Sequence, residues 1–254
     1  MIELRADETH FFYTRVDELK QDPLLLESYQ VVVNEAEKRK VNRYVFEKDR
    51  HRSLVTRALL RYVLSMCTGV DPRGFDFMEN RYGKPDLKPG LVMVPLSFNL
   101  SHSGGITACA VALGHDIGVD VEDCRRKTDV AIADRFFSVS EADSIKQCPS
   151  EDRQSAFYDF WTLKESYIKA RGMGLSIDLK HFSFSIGTPG ITIDFDPSLN
   201  DSSREWQFFR FSPVEHYKAA IAIRSSLETP MALNVYSCIP FRSMEKVSRL
   251  IQGQ

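Results

Sequence analysis

An internal repeat restricts the possible folds of this sequence more than any other feature. The repeat consists of Val70, Asp71, Phe75 and Phe77, which recur as Ile177, Asp178, Phe182 and Phe184. Each set follows a segment whose apolar residues have helical spacing, at 49–66 in the first half and 154–170 in the second. Each half then contains a run of small apolar residues, at 108–112 and 219–223, which is typical of a buried strand. The sequence therefore predicts two copies of one structural plan.

The expected fold class is α+β, because each copy places a helix before strands. We expect two pseudo-symmetric lobes, each a small sheet packed on a helix. The active site is expected between them, since pockets for small molecules are common at such interfaces. The halves divide near residue 115, which gives an N-terminal lobe over 1–115 and a C-terminal lobe over 116–228. Residues 229–254 are predicted to form a C-terminal tail without an assigned role.

The composition excludes several classes of protein. The chain has 254 residues, of which 43% are hydrophobic, and this is enough for a large core. A net charge of -2 provides no general attraction for nucleic acid or a membrane. We see no apolar run typical of a signal peptide or a membrane span, so we expect a cytoplasmic protein. The 5 cysteines are scattered, without a Cys-x-x-Cys pair, and we expect reduced thiols.

Two acidic residues alternate with valines in the segment Gly118-Val119-Asp120-Val121-Glu122. Alternate side chains of a strand share a face, so Asp120 and Glu122 are expected to lie together on an exposed edge. An amphipathic edge strand without a function would show the same alternation. A cation would relieve the repulsion between the two carboxylates, and the residues alone leave both interpretations open.

A second stripe of functional groups is predicted on the helix over 154–170. Trp161, Glu165 and Lys169 are spaced four residues apart and share one helix face. Alone, Glu165 and Lys169 would form a surface ion pair of little energetic value. Together with the two strand carboxylates they suit a phosphate bound to Mg²⁺, since Mg²⁺ prefers oxygen ligands and lysine binds phosphate. Lys164 points about 100° away from Glu165 and shares no simple role with it.

These motifs resemble those of the 4′-phosphopantetheinyl transferases of the larger, surfactin-synthetase-activating type. The signature of that family is a Gly-hydrophobic-Asp-hydrophobic-Glu strand followed by a Trp-x-x-Lys-Glu-Ser/Ala-x-x-Lys helix. Further matches are Arg-Tyr-Gly-Lys-Pro at 81–85, Phe-Asn-Leu-Ser-His-Ser-Gly at 98–104 and Arg-Phe-Phe at 135–137. The resemblance covers roughly residues 35 to 225 and rests on several motifs in the same order.

The resemblance implies an enzyme of the holo-acyl-carrier-protein synthase type. A serine hydroxyl of an acyl carrier protein or peptidyl carrier domain attacks the β-phosphate of coenzyme A, and adenosine 3′,5′-bisphosphate leaves. Mg²⁺ is the implied cofactor and coenzyme A the co-substrate. The N-terminal lobe would bind the nucleotide, and the C-terminal lobe the metal and the carrier. The sequence does not specify fatty acid, polyketide, nonribosomal peptide or lysine synthesis.

The resemblance also implies roles for the acidic cluster. Asp120 and Glu165 are the expected metal ligands. Glu122 either completes the metal shell or acts as the base that receives the serine proton, and the sequence does not decide between these roles. Lys169 would hold a pyrophosphate oxygen and assist the leaving group. Glu122, Glu165 and Lys169 are thus the predicted catalytic residues.

A basic cluster between residues 38 and 52 is the densest positive segment of the chain. Acidic residues are interleaved with it, so by itself it suggests a solvated helix face. The resemblance instead assigns Lys40 and Arg52 to the nucleotide of coenzyme A and its 3′-phosphate. Glu37 occupies a position where the family often has lysine, and either Lys38 or Arg39 could substitute for it.

Three further residues are expected to bind coenzyme A. Lys84 lies in a Gly-Lys-Pro turn that can project it from a stiff loop, and in the family this lysine faces the nucleotide. Ser101 and His102 precede small residues whose backbone amides can approach a phosphate, and the resemblance implies that both hold coenzyme A phosphates. A hydrolase is a weaker interpretation of the Ser-His pair, because no acid partner is evident.

The expected partner is an acidic carrier protein. We expect the transferase to be a monomer and to bind neither nucleic acid nor a membrane. The resemblance implies a carrier surface in the region from Arg135, Phe136 and Phe137 to Ile145, although the first three residues would also suit a core and a salt bridge. Two other functions remain open at this point. A Mg²⁺-dependent nuclease uses similar carboxylates, but the positive charge here is local. A catalytically silent carrier-binding module would have no evident use for the acidic cluster.

Overall fold

Two copies of one topological unit form the molecule. The computed structural model describes residues 1–19, 22–188, 190–226 and 229–248. The elements of the first lobe are β1 (Glu8–Arg15), α1 (Pro23–Val32), α2 (Glu35–Asn42), α3 (Glu47–Thr68), β2 (Phe77–Glu79), β3 (Pro85–Leu87), β4 (Leu96–Ser103) and β5 (Ile106–Leu113). Those of the second are β6 (Asp116–Asp123), α4 (Ile132–Phe136), α5 (Val139–Gln147), α6 (Arg153–Arg171), β7 (Phe182–Ile186), β8 (Ile191–Phe195), β9 (Trp206–Phe211) and β10 (Tyr217–Arg224). Two more strands follow, β11 (Ala232–Ile239) and β12 (Ser243–Lys246).

The strand order shows the relation between the lobes. One sheet has the order β12-β11-β1-β5-β4 and the other has the order β6-β10-β9. In each lobe the first strand pairs antiparallel with the last, which in turn pairs with the strand before it. A short hairpin, β2–β3 or β7–β8, lies between the long helix and these strands. The prediction of an α+β fold with two pseudo-symmetric lobes is confirmed.

The two long helices follow the predicted segments closely. Helix α3 ends at Gly69 and α6 at Gly172, and both glycines have the left-handed conformation that commonly terminates a helix (φ 74° and 61°). Each observed helix extends one or two residues beyond the predicted segment at both ends.

No helix in the described ranges is long and apolar enough to cross a membrane.

The core has layers, with the two sheets packed face to face between α3 and α6. Alternate residues of β5 and β10 point to opposite sides, so Ala110 and Ile221 meet between the sheets. On the outer sides, Cys109 packs with residues of α3 and Ala220 with residues of α6. These strands are buried on both faces, as their continuous apolar runs predict.

The segment predicted as a tail contributes strands to the first lobe. Strand β11 pairs parallel with β1, and β12 pairs antiparallel with β11. Val235 is buried in the core between the sheets, and Cys238 is buried in the core of the first lobe. The last part of the predicted tail, 249–254, lies outside the described residues.

The cysteines carry free thiols, and all 5 lie within the described ranges. Burial raises the pKa of Cys67 and of Cys238 to about 12. Because the thiolate is the reactive form, these two side chains act as apolar packing groups.

Candidate active site

Predicted functional residues from each half meet at the joint between the lobes. Strand β4 of the first lobe lies beside β6 of the second lobe. Strand β6 also packs on helix α6. A cavity of about 300 Å³ opens at this joint, lined by Lys84 and Asn99 from one lobe and by Glu165 and Lys169 from the other. A second cavity, of about 480 Å³, includes Lys40 and shares three lining residues with the first.

Gly118 allows β6 to approach α6 closely. A Cβ atom at this position would overlap the backbone carbonyl oxygen of Ser166 and the amide nitrogen of Ala170. The strand carboxylates therefore lie against the helix that carries Glu165 and Lys169. This close approach explains why a glycine precedes the two acidic residues.

Asp120, Glu122 and Glu165 form one acidic cluster. Asp120 is only 4% exposed, while Glu122 and Glu165 are half-buried. Burial and then the charge of Asp120 raise the pKa of Glu165 to about 7, and Glu122 contributes to the same effect. Asp120 was expected on an exposed edge, and this expectation is wrong because β4 covers that edge of β6.

Lys169 and Ser101 hold one oxygen of Asp120. The Lys169 ammonium lies 2.6 Å from Asp120 Oδ1, and the Ser101 hydroxyl donates to the same oxygen at 2.9 Å. Lys169 also donates to Ser101 Oγ at 3.0 Å. The other oxygen, Asp120 Oδ2, is buried and has no hydrogen-bond partner among the described residues. A buried carboxylate oxygen without a partner is costly, so this atom is suited to receive a cation.

The donor set fits a hard divalent cation. Three carboxylates face one ammonium, which leaves excess negative charge at the joint. Oxygen ligands of this kind are those that Mg²⁺ prefers. In the described part of the chain, no group of three or more His, Cys, Asp or Glu side chains already stands at ion-binding geometry. The residues thus match a metal site in chemistry and charge.

The Glu122 carboxylate is held by a short hydrogen bond from Ser103. Ser103 Oγ donates to Glu122 Oε2 at 2.6 Å. Burial, followed by the charge of Asp120, raises the pKa of Glu122. Trp161, on the helix stripe where the sequence places it, lies close enough to Glu122 to oppose this rise.

Lys84 crosses the joint between the lobes. Its ammonium donates to the carbonyl oxygens of Ile117 at 3.1 Å and Ala170 at 3.0 Å. Burial lowers the pKa of Lys84. Gly83 has the positive φ of 86° that this turn requires. The structure thus places the lysine at the cavity between the lobes, where its ammonium also joins strand β6 to the end of α6.

The other predicted nucleotide-binding residues lie in two places. Lys40 forms an ion pair with Glu79 at the larger cavity. Arg52 pairs with Asp49 at 2.6 Å. Burial, and then the nearby charge of Arg52, lower the pKa of the His102 imidazole. The structure therefore brings Arg52 and His102 together, with Ser101 adjacent to His102 in the sequence.

Glu37 has a structural role where the family often has lysine. It closes a capping box with Asn34 at the start of α2 and pairs with the buried Arg61 at 2.7 Å. Lys38 pairs with Glu35 at 2.8 Å. Glu37 is thus committed to holding α2 against α3.

Lys164 is buried on a different side of α6 from Glu165, about 100° around the helix. Its ammonium pairs with Glu141 at 2.8 Å and donates to the carbonyl oxygens of Leu179 and Phe182. Burial lowers the pKa of Lys164 to about 8, and Glu141 partly opposes the shift. Glu141 caps α5, so Lys164 links α6 to α5 and β7.

The predicted carrier surface divides into exposed and buried residues. Phe136 is 37% exposed and Arg135 lies over its ring, 5.3 Å from the centroid. Phe137 is buried among the aromatic residues of α6. Only the first two of the three residues are therefore available for contact with a partner.

Sequence reasoning did not identify Asn99 and Ser103 as functional residues. Asn99 accepts a hydrogen bond from the Val119 amide, and Ser103 binds Glu122. The polar residues Asn99, Ser101 and Ser103 alternate along β4, and this period of two is the signal that could have revealed them.

Two family models match most of the chain. Residues 116–222 match the 4′-phosphopantetheinyl transferase superfamily, and residues 24–113 match the family described as 4′-phosphopantetheinyl transferase, N-terminal. The 4′-phosphopantetheinyl transferase HetI of Nostoc sp. is 30% identical, over 87% of this chain and 89% of the relative. The chain belongs to the 4′-phosphopantetheinyl transferase superfamily.

Two more relatives define its type. A 4′-phosphopantetheinyl transferase of Bacillus subtilis is 35% identical, over 73% of this chain and 80% of the relative. The transferase Sfp of Bacillus subtilis strain 168 is 32% identical, over 65% of this chain and 71% of the relative. Within the superfamily, the protein is a phosphopantetheinyl transferase of the larger, surfactin-synthetase-activating type.

A solved structure is also similar. The holo-(acyl-carrier-protein) synthase of Bacillus anthracis, in complex with CoA (3′,5′-ADP), has a TM-score of 0.35 and 16% identity. The similarity covers 44% of this chain and 96% of that chain.

Proposed function

We propose that this protein transfers 4′-phosphopantetheine from coenzyme A to a serine hydroxyl of an apo acyl or peptidyl carrier protein in a Mg²⁺-dependent reaction. The product that leaves is adenosine 3′,5′-bisphosphate. The observation that carries the proposal is the acidic cluster of Asp120, Glu122 and Glu165 with Lys169, beside a cavity between the lobes. The relatives named above are phosphopantetheinyl transferases, and they support the same reaction.

The residues of the cluster have distinct proposed roles. Asp120, Glu122 and Glu165 would hold the ion, and Lys169, already paired with Asp120, would bind a pyrophosphate oxygen. Bound Mg²⁺ supplies neutralisation of the charge that develops on the pyrophosphate. Lys40, Arg52, Lys84, Ser101 and His102 are the proposed contacts of coenzyme A. Ser101 Oγ lies 3.0 Å from Lys169 Nζ, and a phosphate bound there would compete with Asp120 for the one hydrogen of the Ser101 hydroxyl.

Glu122 can be assigned by one substitution. We propose that it is a ligand, because it faces Asp120 closely enough for that charge to raise its pKa. In Glu122→Gln, loss of a ligand should raise the Mg²⁺ concentration required for the half-maximal rate. A lower kcat at saturating Mg²⁺, with an unchanged Mg²⁺ requirement, would instead identify Glu122 as the base that receives the serine proton.

The carrier protein is proposed to dock beside α4 and the start of α5. Phe136 and Arg135 are exposed there, and Val139 is 79% exposed. Aromatic and arginine side chains are effective anchors, and an arginine suits an acidic partner. Arg135→Glu should weaken binding of the carrier without changing binding of coenzyme A. Unchanged carrier affinity would remove Arg135 from the interface.

The test of the reaction is direct. Purified protein is incubated with coenzyme A, Mg²⁺ and a panel of apo carrier proteins, and each carrier is examined by mass spectrometry. We expect the mass gain of one phosphopantetheine, its loss with EDTA and its return with excess Mg²⁺. Both halves of the site come from one chain, so we expect a monomer to be active. Absence of any gain with a folded protein would reject the proposal.

A further inference from the structure

Strand β4 covers the free edge of β6 with side chains rather than with backbone. On its other edge, β6 pairs with β10. The covering hydrogen bonds run from the amide nitrogens of Val119, Val121 and Asp123 to Asn99 Oδ1, Ser101 Oγ and Ser103 Oγ, at 2.9, 3.2 and 3.1 Å. Buried amides require partners, and an edge strand otherwise leaves them unpaired. These contacts therefore fix the position of β6 along β4.

Each of the two serines also binds a carboxylate of β6. Ser101 donates to Asp120 at 2.9 Å, and Ser103 donates to Glu122 at 2.6 Å. A hydroxyl has one hydrogen to donate and two lone pairs that accept. Each serine thus donates its hydrogen to a carboxylate of β6. With a lone pair it accepts a hydrogen bond from the backbone amide of the residue that follows that carboxylate in β6, Val121 for Ser101 and Asp123 for Ser103. The arrangement repeats after two residues because alternate residues of a strand share a face.

The two carboxylates differ in their remaining partners. Asp120 also pairs with Lys169 at 2.6 Å. Glu122 forms no salt bridge within the described ranges, and the one side-chain hydrogen bond that it receives from these residues comes from Ser103. A hydrogen bond to a charged acceptor at 2.6 Å is short and strong. Removal of the Ser103 hydroxyl would leave the Glu122 carboxylate without the hydrogen bond that orients it.

We propose that Ser103 is a positioning residue that orients the Glu122 carboxylate toward a divalent cation held with Asp120 and Glu165. This inference rests on the proposed function, in which these carboxylates bind the ion. A carboxylate that is fixed before the ion binds loses less rotational freedom on binding. Residues that hold metal ligands in this way commonly affect metal affinity as strongly as activity.

The experiment compares Ser103→Ala with Ser103→Thr, which keeps the hydroxyl. Ser97→Ala is the matched control, because Ser97 lies on the same face of β4 and has no contact with the three carboxylates among the hydrogen bonds of the described residues. Binding of Mn²⁺ is measured by electron paramagnetic resonance, without coenzyme A or carrier. We expect Ser103→Ala to weaken Mn²⁺ binding about tenfold, while Ser103→Thr and Ser97→Ala stay near the wild type.

A transfer assay gives the second readout. In Ser103→Ala the Mg²⁺ concentration for the half-maximal rate should rise about tenfold, with kcat at saturating Mg²⁺ nearly unchanged. Urea unfolding shows whether each variant is folded. If Ser103→Ala does not fold, Ser103→Cys replaces it, because a thiol is only a weak donor, and the same loss is expected.

The outcomes separate this inference from the proposed function. Mn²⁺ affinity within about twofold of the wild type in Ser103→Ala would overturn the positioning role, and so would an equal loss in Ser103→Thr. A wild type that transfers phosphopantetheine without binding Mn²⁺ would also overturn it, while transfer itself would stand. If the wild type modifies no carrier, the proposed function fails, and the Mn²⁺ titration still decides the role of Ser103.

Discussion

Lys164 and Glu165 are adjacent in the sequence but act in different parts of the molecule. Lys164 is completely buried and pairs with Glu141, while Glu165 is half-buried at the joint between the lobes. Successive residues of a helix point about 100° apart, which separates the two environments. One residue therefore secures α6 to its neighbours, and the next is available to the site.

At the residue scale, Glu165→Gln should abolish transfer and leave folding intact. The rate should fall by about a hundredfold or more, because a charge that acts on the transition state is lost. Burial and Asp120 raise the pKa of Glu165 to about 7, so the charged form is already disfavoured in the folded protein. A neutral amide should therefore not destabilise the fold.

Mass spectrometry of an apo carrier and urea unfolding measure the two effects of Glu165→Gln. Glu215→Gln, at an exposed position, is the control. Activity near the wild-type level in Glu165→Gln would exclude this residue as a ligand.

Because His10 is buried, the folded protein should lose stability at low pH. The His10 ring stacks with those of Phe12 and Tyr236, with distances of 6.4 and 5.9 Å between the ring centroids. Its ring nitrogens have no hydrogen-bond partner within the described ranges. Burial lowers the pKa of His10, although Glu8 opposes the shift. The stabilising contribution of the neutral ring is present above the unfolded pKa of 6.5 and is lost as pH falls through the lower folded pKa.

Urea midpoints between pH 8 and pH 5 test this contribution. His10→Phe keeps an aromatic ring and cannot be protonated, so its stability should fall less at low pH than that of the wild type. The exposed His181→Gln is the control. The same pH dependence in His10→Phe and the wild type would contradict the prediction.

The spacing of polar residues predicted much of the site at this scale. Period two in Asp120 and Glu122, and period four in Glu165 and Lys169, indicated shared faces, and the structure brings these residues together. The role of Ser103 could not be predicted in the same way. It depends on β4 lying along the edge of β6, and neither strand specifies that contact in its own sequence.

At the element scale, Gly118→Ala should separate β6 from α6. The added methyl group would overlap backbone atoms of Ser166 and Ala170, which cannot move independently of their helix. We expect a loss of about 3 kcal/mol or more in the free energy of unfolding. Gly187→Ala is the control, because no atom lies within 4 Å of a Cβ at Gly187. A loss as small as that of the control would show that the packing can adapt.

Helices and strands were predictable to different extents. The apolar periodicity of α3 and α6 gave their ends within two residues, and the runs at 108–112 and 219–223 identified β5 and β10. Strand β1 has buried residues on both faces and no flanking repeat, so its pattern did not identify it. Strand β11 acquires its partner only through a parallel contact with β1, and local sequence cannot encode such a distant neighbour.

At the scale of the whole molecule, removal of residues 229–254 should destabilise the protein. The truncation exposes one edge of β1 and removes the buried side chains of Val235 and Cys238. The lost burial should cost more than about 3 kcal/mol, and an open edge promotes aggregation. Val235→Ala should have a smaller effect in the same direction.

Urea unfolding and light scattering of the truncated protein give the measurement. A truncated chain with the unfolding midpoint of the full chain would show that β11 and β12 add nothing to the first lobe.

The parallel pairing of β1 with β11 also determines when the first lobe can be completed during translation. The ribosome synthesises the entire second lobe between these two strands. At about 5–20 residues per second, the nascent β1 waits for many seconds before its neighbour emerges. During that interval its open edge is accessible to other nascent chains and to chaperones. The lobe that is made first is therefore the last to finish folding.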